Sequence, residues 1–208
     1  MTFNRKDHWE TIYQNKHPNE VSWTQNVPET SLHLIHELDL PSSANIIDIG
    51  GGESTLVDFL LDEGFENITV LDISSNAIER AKKRLGTKAN KVKWIVSDIL
   101  EFQPTEKYDL WHDRATFHFL IEEKDIRKYV DLVYNHTNKN LLISTFSTEG
   151  PLKCSGLEIT QYNEDTMEKT FVSEFKKISC IAVDHTTPFN TQQNFIFCSF
   201  EKKSTEFE

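Results

Sequence analysis

The apolar positions of this chain change period several times, and each change marks an element. "ANIIDI", residues 44–49, is apolar almost throughout, the pattern of a strand buried on both faces. In "STLVDFLLDEG" the spacing moves to that of a helix, with Leu56, Val57, Leu60 and Leu61 on one face and Gly64 as its stop. "NITVLDI" predicts a second strand. "SSNAIERAKKRLG" predicts a second helix, opened by serine caps, with Ala77, Ile78, Ala81 and Leu85 inward and Gly86 at its end. "KVKWIVSDI" and "KYDLWHD" predict two more strands. Ile126, Tyr129, Val130 and Val133 recur at helical spacing, and "KNLLISTF" predicts a fifth strand. Strands that alternate with helices imply a parallel sheet covered on both faces.

After residue 165 the rhythm breaks. A helix around Asp165–Ser173 precedes "FKKISCIAVDH" and "QQNFIFCSFEKK", which only "TTPFNT" separates, so these two runs should pair as an antiparallel hairpin. Some forty residues carrying Trp9, Tyr13, Trp23 and a helix over Glu29–Glu37 precede the first strand. The sequence therefore reads as one α/β domain. Residues 1–40 form an N-terminal lid and helices, 41–146 the core, 147–162 a loop, 163–201 the helix and hairpin, and 202–208 a frayed tail.

Composition narrows the partners. The 208 residues carry a net charge of −11 and no long Lys/Arg stripe, which disfavours a nucleic-acid partner. No apolar run approaches the roughly 20 residues that span a bilayer, so no membrane partner is expected. Cys154, Cys180 and Cys198 are widely spaced and odd in number, which argues for thiols in a reduced, cytoplasmic chain; their spacing supports no metal site.

"NIIDIGGGEST" sets three glycines directly after the first strand. A strand–glycine turn–helix unit lets a ligand approach bare backbone at the helix N-terminus. Gly50 and Gly52 fill the first two places of a G-x-G-x-x-G pattern, but Thr55 stands at the third. Asp72, at the end of the second strand, is placed to accept from two ribose hydroxyls, and Asp98 ends the third strand.

This arrangement (Asp48-x-Gly50-x-Gly52, then Asp72, Asp98 and the terminal hairpin) resembles the class I S-adenosylmethionine (SAM)-dependent methyltransferases over nearly the whole chain. The resemblance implies a doubly wound, Rossmann-like sheet of seven strands in the order 3-2-1-4-5-7-6, strand 7 antiparallel, with SAM across the tips of strands 1 to 4. It places Gly50 and Gly52 against the methionine and ribose portion, Asp72 on the ribose and Asp98 on the adenine amino group. Ile73 and Ile99 would sandwich the adenine. "HWETIYQNKHPNEVSWTQ" is similar to the W-[DE]-x-x-Y…W opening of a subgroup that includes lysine methyltransferases of elongation factor 1A, and that similarity makes Trp9, Tyr13 and Trp23 cofactor-lid residues. "DRATFHFL" resembles their D-K-G-T-[FL]-D segment, with Arg114 in place of lysine, Ala115 of glycine and His118 of an acid.

At the tip of the fourth strand, His112 and Asp113 are candidates to remove or hold an acceptor's proton. Arg114, His118, Phe146, Lys153, Cys154 and Tyr162 are candidate acceptor contacts, the last four around the turn-rich loop after the fifth strand. The acceptor is left as an N, S or O nucleophile of a protein side chain or a small molecule. An NAD-dependent dehydrogenase, which shares the glycine turn and the acid, and a non-catalytic SAM-binding partner subunit remain as alternatives.

Overall fold

The computed structural model describes residues 3–204; the last four residues of the expected tail lie outside them. The described chain packs as two compact units, one running to Gln103 and including Thr186–Gln192, the other Pro104–His185 with the chain from Gln193 onward.

The first unit opens with α1 (Arg5–Asn15), where the Asn4 side chain accepts from the backbone N–H groups of Lys6 and Asp7, and α2 (Glu29–His36). β1 (Asn45–Ile49), α3 (Leu56–Asp62), β2 (Asn67–Asp72), α4 (Ser75–Leu85) and β3 (Val92–Val96) follow. β1 and β2 pair in parallel, as do β2 and β3. The Ser74 hydroxyl caps α4 by accepting from Ala77 N–H, and Gly86 ends it at φ +57°. The four apolar residues expected to face inward on α4 are all buried. On α3 Leu56, Val57 and Leu60 are buried and Leu61 only partly so. β3 lies at one edge of the sheet, and past Val92 its residues are only partly buried or exposed.

The second unit holds β4 (Tyr108–Arg114), α5 (Glu123–His136) and β5 (Thr137–Phe146), then a two-residue hairpin, β6 (Lys153–Cys154) with β7 (Leu157–Glu158). α6 (Glu164–Phe171), β8 (Phe175–Thr186) and β9 (Gln192–Lys202) complete it. β4 and β5 are parallel, whereas β9 runs antiparallel to β5. The seven long strands form one sheet in the order β3-β2-β1-β4-β5-β9-β8. Once the small hairpin is set aside, this is the expected order, and β9 is its antiparallel strand.

One expectation is corrected here. Cys180 and Cys198 are not free thiols but a disulfide joining the neighbouring strands β8 and β9, whose pairing brings their Cα atoms to 4.1 Å. Cys154 is the free cysteine, and it is buried.

Candidate functional site

In the first unit the glycine turn is held by carboxylates. Gly50 takes a left-handed φ of +67°, and the amides of Gly50 and Gly51 both donate to the carbonyl of Leu71, at 2.7 and 3.3 Å. A Cβ on Gly51 would lie 2.2 Å from Asp48 Oδ2, and one on Gly52 would lie 2.4 Å from Asp72 Oδ2 and 2.6 Å from the Ala77 Cβ. The turn therefore needs bare backbone because two acidic side chains press against it.

Asp72 is the hub. Its Oδ2 accepts from Gly52 N–H at 3.0 Å and its Oδ1 from Ser74 N–H at 2.7 Å, and only 4% of its surface is exposed. Burial pushes its carboxyl up to about 7; the two backbone bonds oppose this, and the charges of Asp48 and Glu10 add to it. Each oxygen spends one lone pair on backbone and keeps capacity for a further donor, which is what a vicinal diol offers.

Gly52→Ala tests the tightness of this turn. The added methyl meets both a carboxylate and a buried Cβ. We expect it to destabilise the protein by about 1–3 kcal/mol, the usual cost of overpacking, read as a fall in denaturant midpoint at unchanged slope. An unaltered midpoint would mean that the turn is looser than these distances.

An open cleft of about 750 Å³ brings Ile73 and Asp98 together with the entry to α1, Phe3 to Asp7. Asp98 Oδ1 accepts from Leu100 N–H at 2.9 Å, and Oδ2 lies 3.8 Å from the Arg5 guanidinium. Ile99 is buried beside it. A carboxylate oxygen next to an apolar wall suits a flat ring with an amino group. Trp9, Tyr13 and Trp23 form one aromatic cluster, with centroids 6.3 Å (Trp9–Tyr13), 5.8 Å (Trp9–Trp23) and 6.4 Å (Tyr13–Trp23) apart.

Sequence reasoning missed Glu10. Its carboxylate accepts from Ser74 Oγ, Ser75 N–H, Ser75 Oγ and Asn76 N–H at 2.7–3.1 Å, tying α1 to the first turn of α4. Burial alone would raise its pKa, but the bonds from Ser75, Asn76 and Ser74 prevail and hold it at about 2. The signal was present: an acid directly after Trp9, and a Ser-Ser-Asn run rich in donors opening a helix.

In the second unit the candidate base Asp113 is held by three hydrogen bonds and anchors the turn that follows β4. It is fully buried; Oδ1 accepts from the amides of Thr116 and Phe117 at 2.9 and 3.2 Å, and Oδ2 from the Tyr129 hydroxyl at 2.6 Å. Trp111 Nε1–H donates to the same Tyr129 oxygen at 3.2 Å. Burial raises the Asp113 carboxyl to about 6, against the pull of Tyr129, the two amides and His112. Its alternation along β4 with His112 and Arg114 puts those two residues on the other face of the strand.

His118 is also fully buried, its ring against Phe119 and Phe146 at 4.5 and 4.9 Å. Nδ1 accepts from Phe146 N–H at 3.4 Å, while Nε2 is buried with no hydrogen-bond partner among the described residues. Burial, helped by the Arg114 charge, lowers its pKa to about 3, so the ring is neutral at pH 7. The Arg114 guanidinium lies over Phe195 at 5.3 Å, and Phe195 stacks on Phe146 at 4.7 Å. Burial raises the Cys154 thiol to about 12 although Arg114 pulls the other way. Tyr162 is buried by its bridge to Ser147 and its contact with Phe117. Lys153, one residue along β6 from Cys154, is exposed. Among the described residues no three His, Cys, Asp or Glu side chains converge as a metal site, and no helix is long and apolar enough to cross a membrane.

Residues 46–140 match a protein family described as "Methyltransferase domain". The chain is 34% identical over 106 residues to malonyl-[acyl-carrier protein] O-methyltransferase 2 of Ilyobacter polytropus, covering 50% of this chain and 40% of that protein. It is 23% identical over 124 residues to the eEF1A lysine and N-terminal methyltransferase of Mus musculus, covering 59% and 18%. The chain thus spans less than half the length of these curated relatives. Among solved structures, the N-methyltransferase NodS of Bradyrhizobium japonicum with S-adenosylhomocysteine superposes with a TM-score of 0.72 at 14% identity, over 97% of this chain and 100% of that one.

Proposed function

We propose that this chain is a class I SAM-dependent methyltransferase that transfers the SAM methyl group to an N, S or O nucleophile of a protein side chain or a small molecule, a reading supported by its strand order and by the match of residues 46–140 to a methyltransferase domain. The observation that carries the proposal is the Asp72 carboxylate, held at the head of the glycine turn with acceptor capacity left over. In this reading Asp72 takes the ribose hydroxyls, and Gly50 and Gly52 give the methionine and ribose portion room, with Asp48 bracing the turn. Asp98 accepts from the adenine amino group, and Ile73 and Ile99 flank the ring. Trp9, Tyr13 and Trp23 cover the cofactor, and Glu10 keeps α1, which bears the first two, in place.

When bound, SAM supplies a methyl already activated on a sulfonium, so the chain's task is positioning more than proton transfer. His112 is the candidate to hold a proton where the acceptor brings one. The relatives act on different acceptors, so their names do not choose one. A cytoplasmic site of action belongs to the same proposal.

Calorimetry with SAM, S-adenosylhomocysteine and NAD tests the reading. Binding of the first two and not of NAD is the expected result. Binding of NAD alone would move the chain to the dehydrogenases. SAM binding without turnover on any acceptor would leave the partner-subunit reading.

A further inference from the structure

β8 ends the sheet, so among the described residues one of its two edges has no neighbouring strand. Which of its backbone groups face that open edge follows from its pairing with β9. Ser179 Oγ meets Ser199 Oγ at 2.8 Å, Cys180 is bonded to Cys198, and Asp184 Oδ1 accepts from Asn194 Nδ2 at 2.7 Å. Each step forward on β8 is a step back on β9, so these residues lie directly opposite one another in an antiparallel pair. The Cα atoms of Cys180 and Cys198 are 4.1 Å apart, the spacing of a pair that exchanges no backbone hydrogen bonds (about 4.5 Å) and not of one that does (about 5.5 Å). Just past the strand ends, Thr187 N–H donates to the Thr191 carbonyl at 2.8 Å, which puts the bonded pairs at the odd-numbered positions. Ile178, Cys180, Ala182 and Asp184 therefore turn their N–H and C=O groups to the open edge.

β8 runs for 12 residues, about twice the usual strand length, and holds no proline. Ile178 and Ile181 stand 51% and 37% exposed on it. A long edge with exposed apolar side chains is a template for another strand. The charges along it decide which strand fits. Lys176, Ile178, Ala182 and Asp184 share one face and are all exposed. Lys177, on the opposite face, is spent on Glu164 and Glu168, whereas Lys176 and Asp184 have no ion pair among the described residues. One face thus presents an unspent cation at its start and an unspent anion at its end.

We infer that β8 pairs antiparallel with β8 of a second copy of this chain, joining the two sheets across a two-fold axis at Cys180. In that register Lys176 of each copy faces Asp184 of the other, Ile178 faces Ala182, and Ser179 faces Ile181. Both ion pairs form together, because a two-fold axis repeats every contact. Backbone groups that face outward must meet others that do, so the register can slide only in steps of two residues. A slide one way sets Ile178 against Asp184, and a slide the other way sets Asp184 against Glu174. A parallel pairing would set Lys176 against Lys176. The antiparallel register centred on Cys180 matches opposite charges at both ends and apolar side chains between them.

Sedimentation equilibrium on the full chain tests this. One pair of strands is a small interface, so a monomer–dimer equilibrium with a Kd of about 1–100 μM is expected. Lys176→Glu and Asp184→Lys should each weaken it about tenfold or more, since like charges then face each other twice, and the double variant should recover most of the loss. Ala182→Pro removes an N–H that β9 does not use, so it should abolish the dimer while the chain still melts near the wild type. A chain that stays monomeric well above that concentration range would overturn the inference. So would a dimer that Ala182→Pro leaves intact, a double charge variant no tighter than the single ones, or growth beyond the dimer.

Discussion

Replacing Asp72 by alanine is expected to weaken SAM binding about a hundredfold or more, because two hydrogen bonds to a carboxylate are lost at about 1.5–3 kcal/mol each. The structure adds a second consequence. Gly52 N–H and Ser74 N–H lose their acceptor, which costs about 1–3 kcal/mol per orphaned group, offset in part by relief of the burial that raises this carboxyl to about 7. A lower but still cooperative melting transition is therefore expected, with the loss of binding far exceeding the loss of fold. Asp72→Asn keeps one carbonyl oxygen and should fall between alanine and wild type in both readings.

The pH dependence has opposite signs for folding and for binding. An acid whose pKa rises from 3.8 to about 7 on folding is more protonated in the folded state than in the unfolded one throughout that window. Its contribution to stability is therefore greatest below about 4 and declines as pH rises to about 7. Ribose hydroxyls, by contrast, donate best to the ionised carboxylate. Wild-type affinity for SAM should rise from pH 6 to pH 8, with proton release near pH 6.5 seen as a buffer-dependent binding enthalpy. In Asp72→Ala this dependence should vanish. Equal affinity of wild type and Asp72→Ala would break the cofactor assignment at its centre.

How much of this was legible beforehand depended on the range of each interaction. Local periodicity placed the strands and helices, and the four inward residues of α4 are those that its spacing marks. The terminal hairpin was readable because only a short turn-rich run separates its strands. What sequence could not supply was register and partner. Pairing of β8 with β9 makes Cys180 and Cys198 a disulfide, yet neither spacing nor parity of the cysteines announces it. The exposure of Lys153 against the burial of Cys154 follows from a two-residue strand too short to show a period.

At the site, the glycines and Asp72 were readable because a ligand-binding turn needs them within one βαβ unit. The reason for the glycines was only half visible: Asp48 and Asp72 themselves occupy the space that a Cβ would take. Glu10 acts 64 to 66 residues away from its adjacent letters, on the opening of α4. Asp113 shows the converse, since the sequence marks an acid at a strand tip but not that Tyr129, 16 residues on, donates to one of its oxygens.

Asp113→Ala is expected to be the most destabilising single change discussed, by about 3 kcal/mol or more, because three donors lose a buried acceptor at about 1–3 kcal/mol apiece. Those donors are the amides of Thr116 and Phe117, which open the turn bearing Phe117–Phe119, and the Tyr129 hydroxyl. Asp113→Asn separates anchoring from proton transfer. Its carbonyl oxygen can still accept from both amides, and its NH2 can donate to the Tyr129 oxygen, so most of the stability should remain. Being neutral, it also avoids the burial cost that raises the aspartate to about 6, a cost felt above that pH. At pH 8 the asparagine variant should melt near the wild type and the alanine variant well below it. Turnover, once the acceptor is in hand, should follow the same order. Tyr129→Phe should cost clearly less in the Asp113→Ala background than in the wild type, with a coupling of about 1–2 kcal/mol for residues in direct contact. A folded, stable Asp113→Asn protein with normal SAM affinity and turnover reduced a thousandfold would reverse the assignment and return Asp113 to the chemistry.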